Sequence, residues 1–238
     1  MFRLIVILGL LLPLCPAEGK VKYPDALQIS IWENQLYKGD GVVMLEVLYE
    51  LYRLPREPWP EEVKQLFLGM VNKYYIGDNW LRWRSAATVA YDKCGEHHAA
   101  MTEMASWQAD VRFIPILVEN IGPLANRGLI KIGEPALLPI IKALRHPWAF
   151  QQAAAAETLG LMLKNNPAFA MNPLYRRQMI QGLFAVTNSR DEFVVAEAID
   201  ALKYIKDDEV IAHLNVFSRS ETGLLRLRAS KALQFMGQ

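Results

Sequence analysis

The sequence predicts an all-α protein made of successive helical hairpins, and two observations lead to this fold class. Apolar residues recur at helical spacing along most of the 238-residue chain, and no stretch shows the sustained alternation expected of a strand. A short pattern also returns four times along the chain, as LRWRSAATV (81–89), QQAAAAETL (151–159), VVAEAIDAL (194–202) and LRLRASKAL (225–233). A pattern that recurs in this way is typical of repeat proteins.

The composition indicates an ordered and nearly neutral chain. Hydrophobic residues make up 52% and charged residues 21% of the sequence, which is ordinary for a globular protein. The 26 basic and 25 acidic residues nearly balance, and removal of residues 1–17 would take away Arg3 and no acid, leaving equal numbers. The charge therefore offers no reason to expect nucleic acid or an anionic membrane as the partner.

The first 17 residues have the pattern of a secretory signal peptide. Arg3 gives a positive start, residues 4–14 form an apolar run, and Cys15-Pro16-Ala17 offers small residues to a signal peptidase. The run is shorter than the about 20 residues that a membrane span needs. A buried N-terminal helix and a lipid anchor at Cys15 are the alternatives, and bulky Leu14 disfavours the anchor. We expect a secreted or periplasmic protein without a membrane span.

The cysteine content points to the same compartment. Cys15 and Cys94 are the two cysteines of the chain, and Cys94 would be unpaired once the signal peptide has been removed. The sequence also contains no Asn-x-Ser/Thr site for N-glycosylation. A bacterial periplasm or exterior fits both facts better than a eukaryotic secretory route does.

Prolines and acidic residues mark where the N-terminal helices are predicted to begin and end. Residues 41–54 place apolar side chains on one helix face, and the prolines of REPWP end this helix. The next predicted helix, over 60–75, starts with Pro60 and two acids in its first turn. We expect an N-terminal helical cap over 18–56 and a repeat domain over 57–238.

The four copies of the repeated pattern are predicted to be the second helices of hairpins. They share a small residue at the fifth position, a small residue or Thr at the eighth, and Leu or Val at the ninth. These positions lie on one helix face, where small residues let a neighbouring helix approach closely. Residues 110–121 are assigned as a fifth, degenerate copy, although Ile114 and Pro115 break the pattern. First helices are expected over 60–75, 97–108, 134–145, 173–187 and 207–217.

Residues 130–162, IKIGEPALLPIIKALRHPWAFQQAAAAETLGLM, resemble a HEAT repeat of the HEAT/armadillo-like helical proteins. A Gly precedes the first helix, Pro135 stands at its start, Pro139 lies inside it, Pro147 lies in the turn, and the second helix is rich in Ala. Residues 207–237 are a second good match. The resemblance covers about 60–237 and implies a right-handed α-α superhelix, a HEAT-like solenoid, of about five hairpins.

The family often carries a basic residue at the position that Arg226 occupies. Arg82 stands at the same position in its repeat, whereas Gln152 and Val195 occupy it in the other two. We expect Arg82 and Arg226 to bond acids or carbonyls in the turns of their own repeats. A basic strip on the concave surface of the solenoid is the functional alternative.

The resemblance implies a protein-interaction scaffold, because stacked hairpins form an extended concave surface. An accessory subunit of an envelope enzyme, a helical-repeat enzyme and a nucleic-acid-binding repeat protein are the alternatives. The tryptophans near the turns, Trp148 and Trp107 among them, would either fill gaps between hairpins or form an exposed anchor patch. The candidate partner-binding residues are Trp80, Arg82, Trp83, Arg84, Gln152, Arg226 and Arg228.

The segment CGEHH (94–98) is the densest cluster of reactive side chains. Cys94, His97 and His98 could bind zinc, and Glu96 could act as a base. Adjacent helical positions point in different directions, and the other histidines belong to other repeats. We therefore expect an inter-helix turn here, and no metal, cofactor or catalytic residue. The sequence contains none of the common catalytic motifs.

Overall fold

The computed structural model describes residues 23–37, 41–74 and 94–237, and every regular element in these ranges is a helix. The all-α prediction is confirmed. The predicted signal peptide, and Trp80, Arg82, Trp83 and Arg84, lie outside the described residues.

Besides a 3₁₀ turn at Val111–Phe113, the helices are α1 (Ala26–Tyr37), α2 (Gly41–Tyr52), α3 (Glu61–Tyr74), α4 (Cys94–Gln108), α5 (Ile114–Glu119), α6 (Pro123–Ile132), α7 (Glu134–Ala143), α8 (Ala149–Asn165), α9 (Ala168–Met171), α10 (Pro173–Val186), α11 (Glu192–Leu202), α12 (Asp208–Phe217) and α13 (Gly223–Met236).

The N-terminal helices pack on one another and on α4. Helix α1 contacts α2 and α3, and α2 contacts α4. The Trp59 side chain is buried in the loop before α3, where its indole N–H donates to the Pro55 carbonyl over 3.0 Å. The backbone N–H of Trp59 donates to Gln108 Oε1 over 2.7 Å. Because Gln108 belongs to α4, this bond ties the loop to the rest of the fold.

Three helix pairs in the C-terminal half form where the sequence predicts hairpins. These pairs are α7 with α8, α10 with α11, and α12 with α13, and the two helices of each pair contact each other. The second helices also contact in series, α8 with α11 and α11 with α13, and among the first helices α7 contacts α10. Each pair thus packs on its neighbour in the sequence.

The repeated small residues lie in the core, as predicted. The fifth, eighth and ninth positions of the pattern are buried in all three described copies, namely Ala155, Thr158, Leu159, Ala198, Ala201, Leu202, Ala229, Ala232 and Leu233. Helices α8 and α11 approach closely at Gly160, where an added Cβ would lie 3.3 Å from Ala201 Cα. Small side chains are needed here because the two backbones leave little room between them.

The prediction for residues 110–121 is wrong. The chain forms a 3₁₀ turn and the short helix α5 there, with Pro115 in the first turn of α5. Gly122, at φ 154°, adopts a conformation that favours glycine and separates α5 from α6. A proline begins a helix more easily than it continues one, which favours a short helix starting beside Pro115 over one long second helix.

Helix α6, which the sequence pattern does not predict, is the second helix of a pair whose first helix is α5. It contacts α5, and it packs between α4 and α8 in the series of second helices. A Cβ added at Gly128 of α6 would lie only 2.6 Å from Ser106 Cα of α4. Helix α4, which was expected to be a first helix, therefore precedes α6 in the row of second helices.

Polar contacts also join each helix pair to the next. Four of these hydrogen bonds connect residues 30 to 41 positions apart in the sequence. They run from Thr158 Oγ1 to Asn126 Oδ1 (2.6 Å), from Tyr175 Oη to Glu134 Oε1 (2.9 Å), from Arg176 Nη2 to Asp207 Oδ2 (2.8 Å) and from Thr222 Oγ1 to Glu192 Oε1 (3.2 Å).

Candidate functional site

The turns between first and second helix share one hydrogen-bond pattern in the three C-terminal pairs. In each turn a side chain accepts a hydrogen bond from the backbone N–H two residues later, and the donor is the residue that caps the second helix. The three bonds run from Trp148 to His146 Nδ1 (3.1 Å), from Asp191 to Ser189 Oγ (3.2 Å) and from Thr222 to Ser220 Oγ (3.2 Å). Equivalent turns put the residues after them in equivalent places.

The second residue of each of the second helices α6, α8, α11 and α13 is large, apolar and exposed. These residues are Leu124, Phe150, Phe193 and Leu224, with exposed fractions of 43%, 70%, 58% and 39%. Trp148, which caps α8, is also 70% exposed. We call these five side chains the turn edge. Core packing does not explain them, whereas large exposed apolar side chains are frequent on interaction surfaces.

The sequence carries a signal for three of the turn-edge residues, because Phe150, Phe193 and Leu224 each immediately precede a copy of the repeated pattern. Position 80, immediately before the first copy of the pattern, is Trp80, and the corresponding positions before the other three copies are Phe150, Phe193 and Leu224. All four are large and apolar. A pattern that begins one residue earlier includes Phe150, Phe193 and Leu224, but neither Leu124 nor Trp148.

Gln152 and Arg226, two predicted partner-binding residues, stabilise their own turns. Gln152 Nε2 donates to the His146 carbonyl over 2.8 Å, and Arg226 Nη1 donates to the Ser220 carbonyl over 2.9 Å. The expected bond between Arg226 and its own turn is confirmed. At the equivalent position of α11, Val195 has no donor and is buried. The Arg226 side chain nevertheless remains exposed.

Arg228, a further predicted binding residue, forms an ion pair with Asp200 of the preceding second helix. This pair lies beside Glu197, whose pKa is raised by burial and by the carboxylates of Asp200 and Glu157. The Arg228 and Lys203 cations oppose that rise. Arg228 thus neutralises part of an acidic cluster on the second helices and joins α13 to α11.

The two described tryptophans near the turns behave differently. Trp148 is exposed and meets the His146 ring edge-on, with ring centroids 5.4 Å apart. It fills no gap between hairpins. The Trp107 ring is partly buried and lies 5.3 Å from the Tyr52 ring, with the Arg56 guanidinium 4.9 Å from its centroid. Trp107 therefore fills the space between α2 and α4, as the gap-filling interpretation expects.

Some charged side chains at the turn edge make hydrogen bonds and others do not. Asp191 accepts a hydrogen bond from the Phe193 backbone N–H over 2.9 Å, and Glu192 accepts one from Thr222 over 3.2 Å. Several exposed side chains at the same turns have no ion pair or side-chain hydrogen bond with the described residues, and these are the bases Lys142, Arg145, Arg190 and Arg219 and the acids Glu119 and Glu221. Asp191 and Glu192 keep their negative charge in these bonds, so the four acids of the described turns balance the four bases.

The segment CGEHH forms the first turns of α4. The prediction of an inter-helix turn there is wrong, because the helix begins at Cys94, three residues earlier than expected. The side chains of residues 94–98 lie outside the described part of the chain. Among the described residues, no three His, Cys, Asp or Glu side chains are grouped as a metal site would require.

Within the described ranges, no helix combines the length and apolar character that crossing a membrane would require. No protein-family model matches the chain, and a search of curated proteins finds no match either. The likeness to HEAT repeats therefore remains a prediction from the residues quoted above.

Proposed function

We propose that this protein is a HEAT-like solenoid that serves as a scaffold for a protein partner, outside the cytoplasm and without catalysis of its own. The observation that carries the proposal is the row formed by Leu124, Phe150, Phe193 and Leu224. Each is exposed at the second position of a second helix, in four successive helix pairs. A feature that recurs in four successive pairs places these exposed side chains at equivalent positions along the stack.

The arrangement of the helices supports the solenoid part of the proposal. Second helices contact in series from α4 to α13, and the polar bonds between pairs join each pair to its neighbour. In such a stack each unit covers the apolar face of the next, and equivalent residues of successive units line up. The turn edge then recurs along the stack from α6 to α13.

The residue types on the edge support a protein partner. Tryptophan, phenylalanine and leucine side chains give large apolar contact areas, and aromatic and arginine residues are frequent among the residues that dominate binding energy at interfaces. Gln152 and Arg226 stiffen two of the turns that carry these side chains. A rigid edge loses little conformational freedom when it binds, which favours affinity.

The proposal is tested by capture from an envelope extract with the tagged chain and two matched variants. The edge variant carries Phe150→Ser and Phe193→Ser, and the control carries Met171→Ser and Leu174→Ser. The two control side chains are equally exposed but lie at the connection between α8 and α10, away from the turns. Both variants should keep the helical circular dichroism signal of the wild type.

We expect the wild type and the control to capture the same partner, and the edge variant to capture at least about tenfold less, as loss of interface anchors produces. Equal capture by all three proteins would show that the turn edge does not bind the partner. Absence of any partner retained by the wild type over unrelated bait would overturn the scaffold function.

A further inference from the structure

We propose that His213 is a pH-sensitive latch between the last two helix pairs, and that mild acid releases α12 from α10 while the second helices stay stacked. This inference goes beyond the scaffold function and does not depend on it. It starts from the position of the imidazole, which belongs to α12 but contacts Phe184 and Thr187 at the end of α10.

The partly buried His213 ring lies among aromatic side chains of both helices. It stacks on the Phe184 ring with centroids 4.0 Å apart and an angle of 22° between the planes. It also meets the Phe217 ring of its own helix edge-on, over 5.3 Å. Its Nε2 lies 2.9 Å from Oγ1 of Thr187, which is buried. The contacts with Phe184 and Thr187 exist only while α12 lies against α10.

The hydrogen bond to Thr187 fixes where the neutral ring carries its proton. The Thr187 hydroxyl donates to the Phe184 carbonyl over 2.8 Å, so Nε2 of His213 donates to Thr187 Oγ1. Acid therefore adds the second proton at Nδ1, and no described group accepts a hydrogen bond from that atom. A cation without such a partner is disfavoured in a partly buried aromatic site.

The charges around the ring compensate this cost only in part. Between Arg177 and Arg190 the chain carries no charged residue, and Glu209 lies one turn before His213 on α12. The Glu209 carboxylate and the face of the Phe184 ring both favour the imidazolium. Burial acts in the opposite direction and outweighs Glu209, so the pKa of His213 is lowered. Helix α13 also packs on α12, and the groups that shift the pKa of His213 do not include its charged residues Arg226, Arg228 and Lys231.

The ion pairs across the same interface respond differently to mild acid. Arg176 hydrogen-bonds Asp207 over 2.8 Å and lowers the pKa of that carboxyl, so this pair between α10 and α12 stays charged. Arg228 pairs with Asp200 between the second helices. Beside them, burial and neighbouring carboxylates raise the pKa of Glu197, so its protonation favours the folded chain as the pH falls. Glu197 therefore opposes the effect of His213 and requires a control.

Helix α12 depends on its neighbours to stay helical. It has 10 residues, and isolated helices shorter than about 12–15 residues are marginal in water. Once the contacts of His213 are lost, the amides of α12 should exchange faster with solvent. Helices α11 and α13 contact each other directly, so they should keep their protection. The expected release is therefore local and precedes global unfolding.

The test measures hydrogen–deuterium exchange of the full chain at pH 7.5 and pH 5.5, corrected for the intrinsic exchange rates. An NMR titration of the His213 ring in the wild type accompanies it. On acidification we expect α12 amides to exchange at least about threefold faster relative to those of α8, because the unfolded segment takes up the proton more readily. The ring should titrate below its ordinary value of about 6.5.

Three variants identify the group responsible. His213→Gln does not titrate in this range and should remove the acceleration in α12. His146→Gln changes the other histidine whose side chain is described, in the turn before α8, and should leave the acceleration as in the wild type. Glu197→Gln removes the opposing carboxylate and should respond at least as strongly as the wild type. If His213→Gln does not fold, the titration and the exchange of the wild type still decide.

A His213 ring that titrates at or above about 6.5 would overturn the proposal. Equal acceleration in α8 and α12 would also overturn it, because the change would then be global. So would an acceleration that persists in His213→Gln or disappears in Glu197→Gln. None of these outcomes involves capture of a partner, so the scaffold function stands or falls separately.

Discussion

Gln152 and Arg226 make the same hydrogen bond in two different helix pairs, each donating to the backbone carbonyl six residues before it, over 2.8 and 2.9 Å. These carbonyls belong to His146 and Ser220, just after a first helix ends, where backbone acceptors lack an intrahelical donor. A long side chain with an N–H group at the start of the second helix reaches back across the turn. The position therefore requires reach and a donor, and both glutamine and arginine meet that requirement.

We predict that Arg226→Ala lowers the free energy of unfolding by about 0.5–1 kcal/mol, the ordinary value of an exposed hydrogen bond. Arg226→Gln should stay within about 0.5 kcal/mol of the wild type, because glutamine already makes this bond at position 152. Urea denaturation of the three proteins measures both changes. Stability that is unaffected by Arg226→Ala would assign this residue to binding rather than to its turn.

Gly128→Ala should destabilise the protein by about 1–3 kcal/mol, as overpacking of a tight contact does. The added Cβ would lie 2.6 Å from the Ser106 backbone, which cannot move aside as a flexible side chain could. Gly69→Ala is the matched control, because no described atom lies within 4 Å of its added Cβ, and Ala favours the helix by about 0.5–1 kcal/mol. Thermal denaturation would show opposite shifts, and a tolerated Gly128→Ala would contradict the close approach of α4 and α6.

His213 should make the protein less stable as the pH falls below about 6.5. Its ring stacks on Phe184 with centroids 4.0 Å apart, and its Nε2 lies 2.9 Å from Thr187 Oγ1. Burial lowers the pKa of His213, and the Glu209 carboxylate only partly opposes this effect. The unfolded chain therefore takes up the proton more readily than the folded one, so stability is complete above the unfolded pKa and declines below it.

The measurement is the melting temperature at pH 7.5 and pH 5.5, compared with His213→Gln. The variant keeps a polar side chain at this position but does not titrate in this range. We expect the wild type to lose more stability than the variant on acidification. Parallel losses in the two proteins would show that His213 does not carry the pH dependence.

Asp110 should contribute stability that is lost in strong acid. Hydrogen bonds from Arg112 hold the pKa of Asp110 at about 2, well below its ordinary value, and Arg112 also pairs with Glu61 of α3. Because the folded-state pKa is depressed, this contribution is present above the unfolded pKa of about 4 and declines as the pH falls toward 2. Asp110→Asn should show a smaller loss of stability over that window, since asparagine can still cap the 3₁₀ turn. Urea denaturation at pH 5 and pH 2.5 measures the loss of unfolding free energy in each protein. An equal loss in the wild type and in Asp110→Asn would show that the bond between Asp110 and Arg112 does not cause the pH dependence.

Helices with strong local signals could be predicted closely. The first-turn acids and Pro60 placed α3 within a residue of its observed bounds, and the Ala-rich segment at 151–159 lies within α8 as expected. The unit around Pro115 could not be predicted, because α6 is identified as its second helix only by where it packs, between α4 and α8. No local pattern reports a contact between two helices whose sequences are separated by a further helix.

The sequence by itself determined the helical class, the repeated small residues and the donor at the start of the second helix, because these follow from local spacing and side-chain chemistry. Only the tertiary structure decided that Phe150, Phe193 and Leu224 are exposed rather than buried. The residue type alone does not distinguish an exposed apolar side chain from a buried one. Exposure depends on which neighbours the stack brings to each turn. It also decided that Arg228 pairs with Asp200, because that ion pair exists only where α11 and α13 pack side by side.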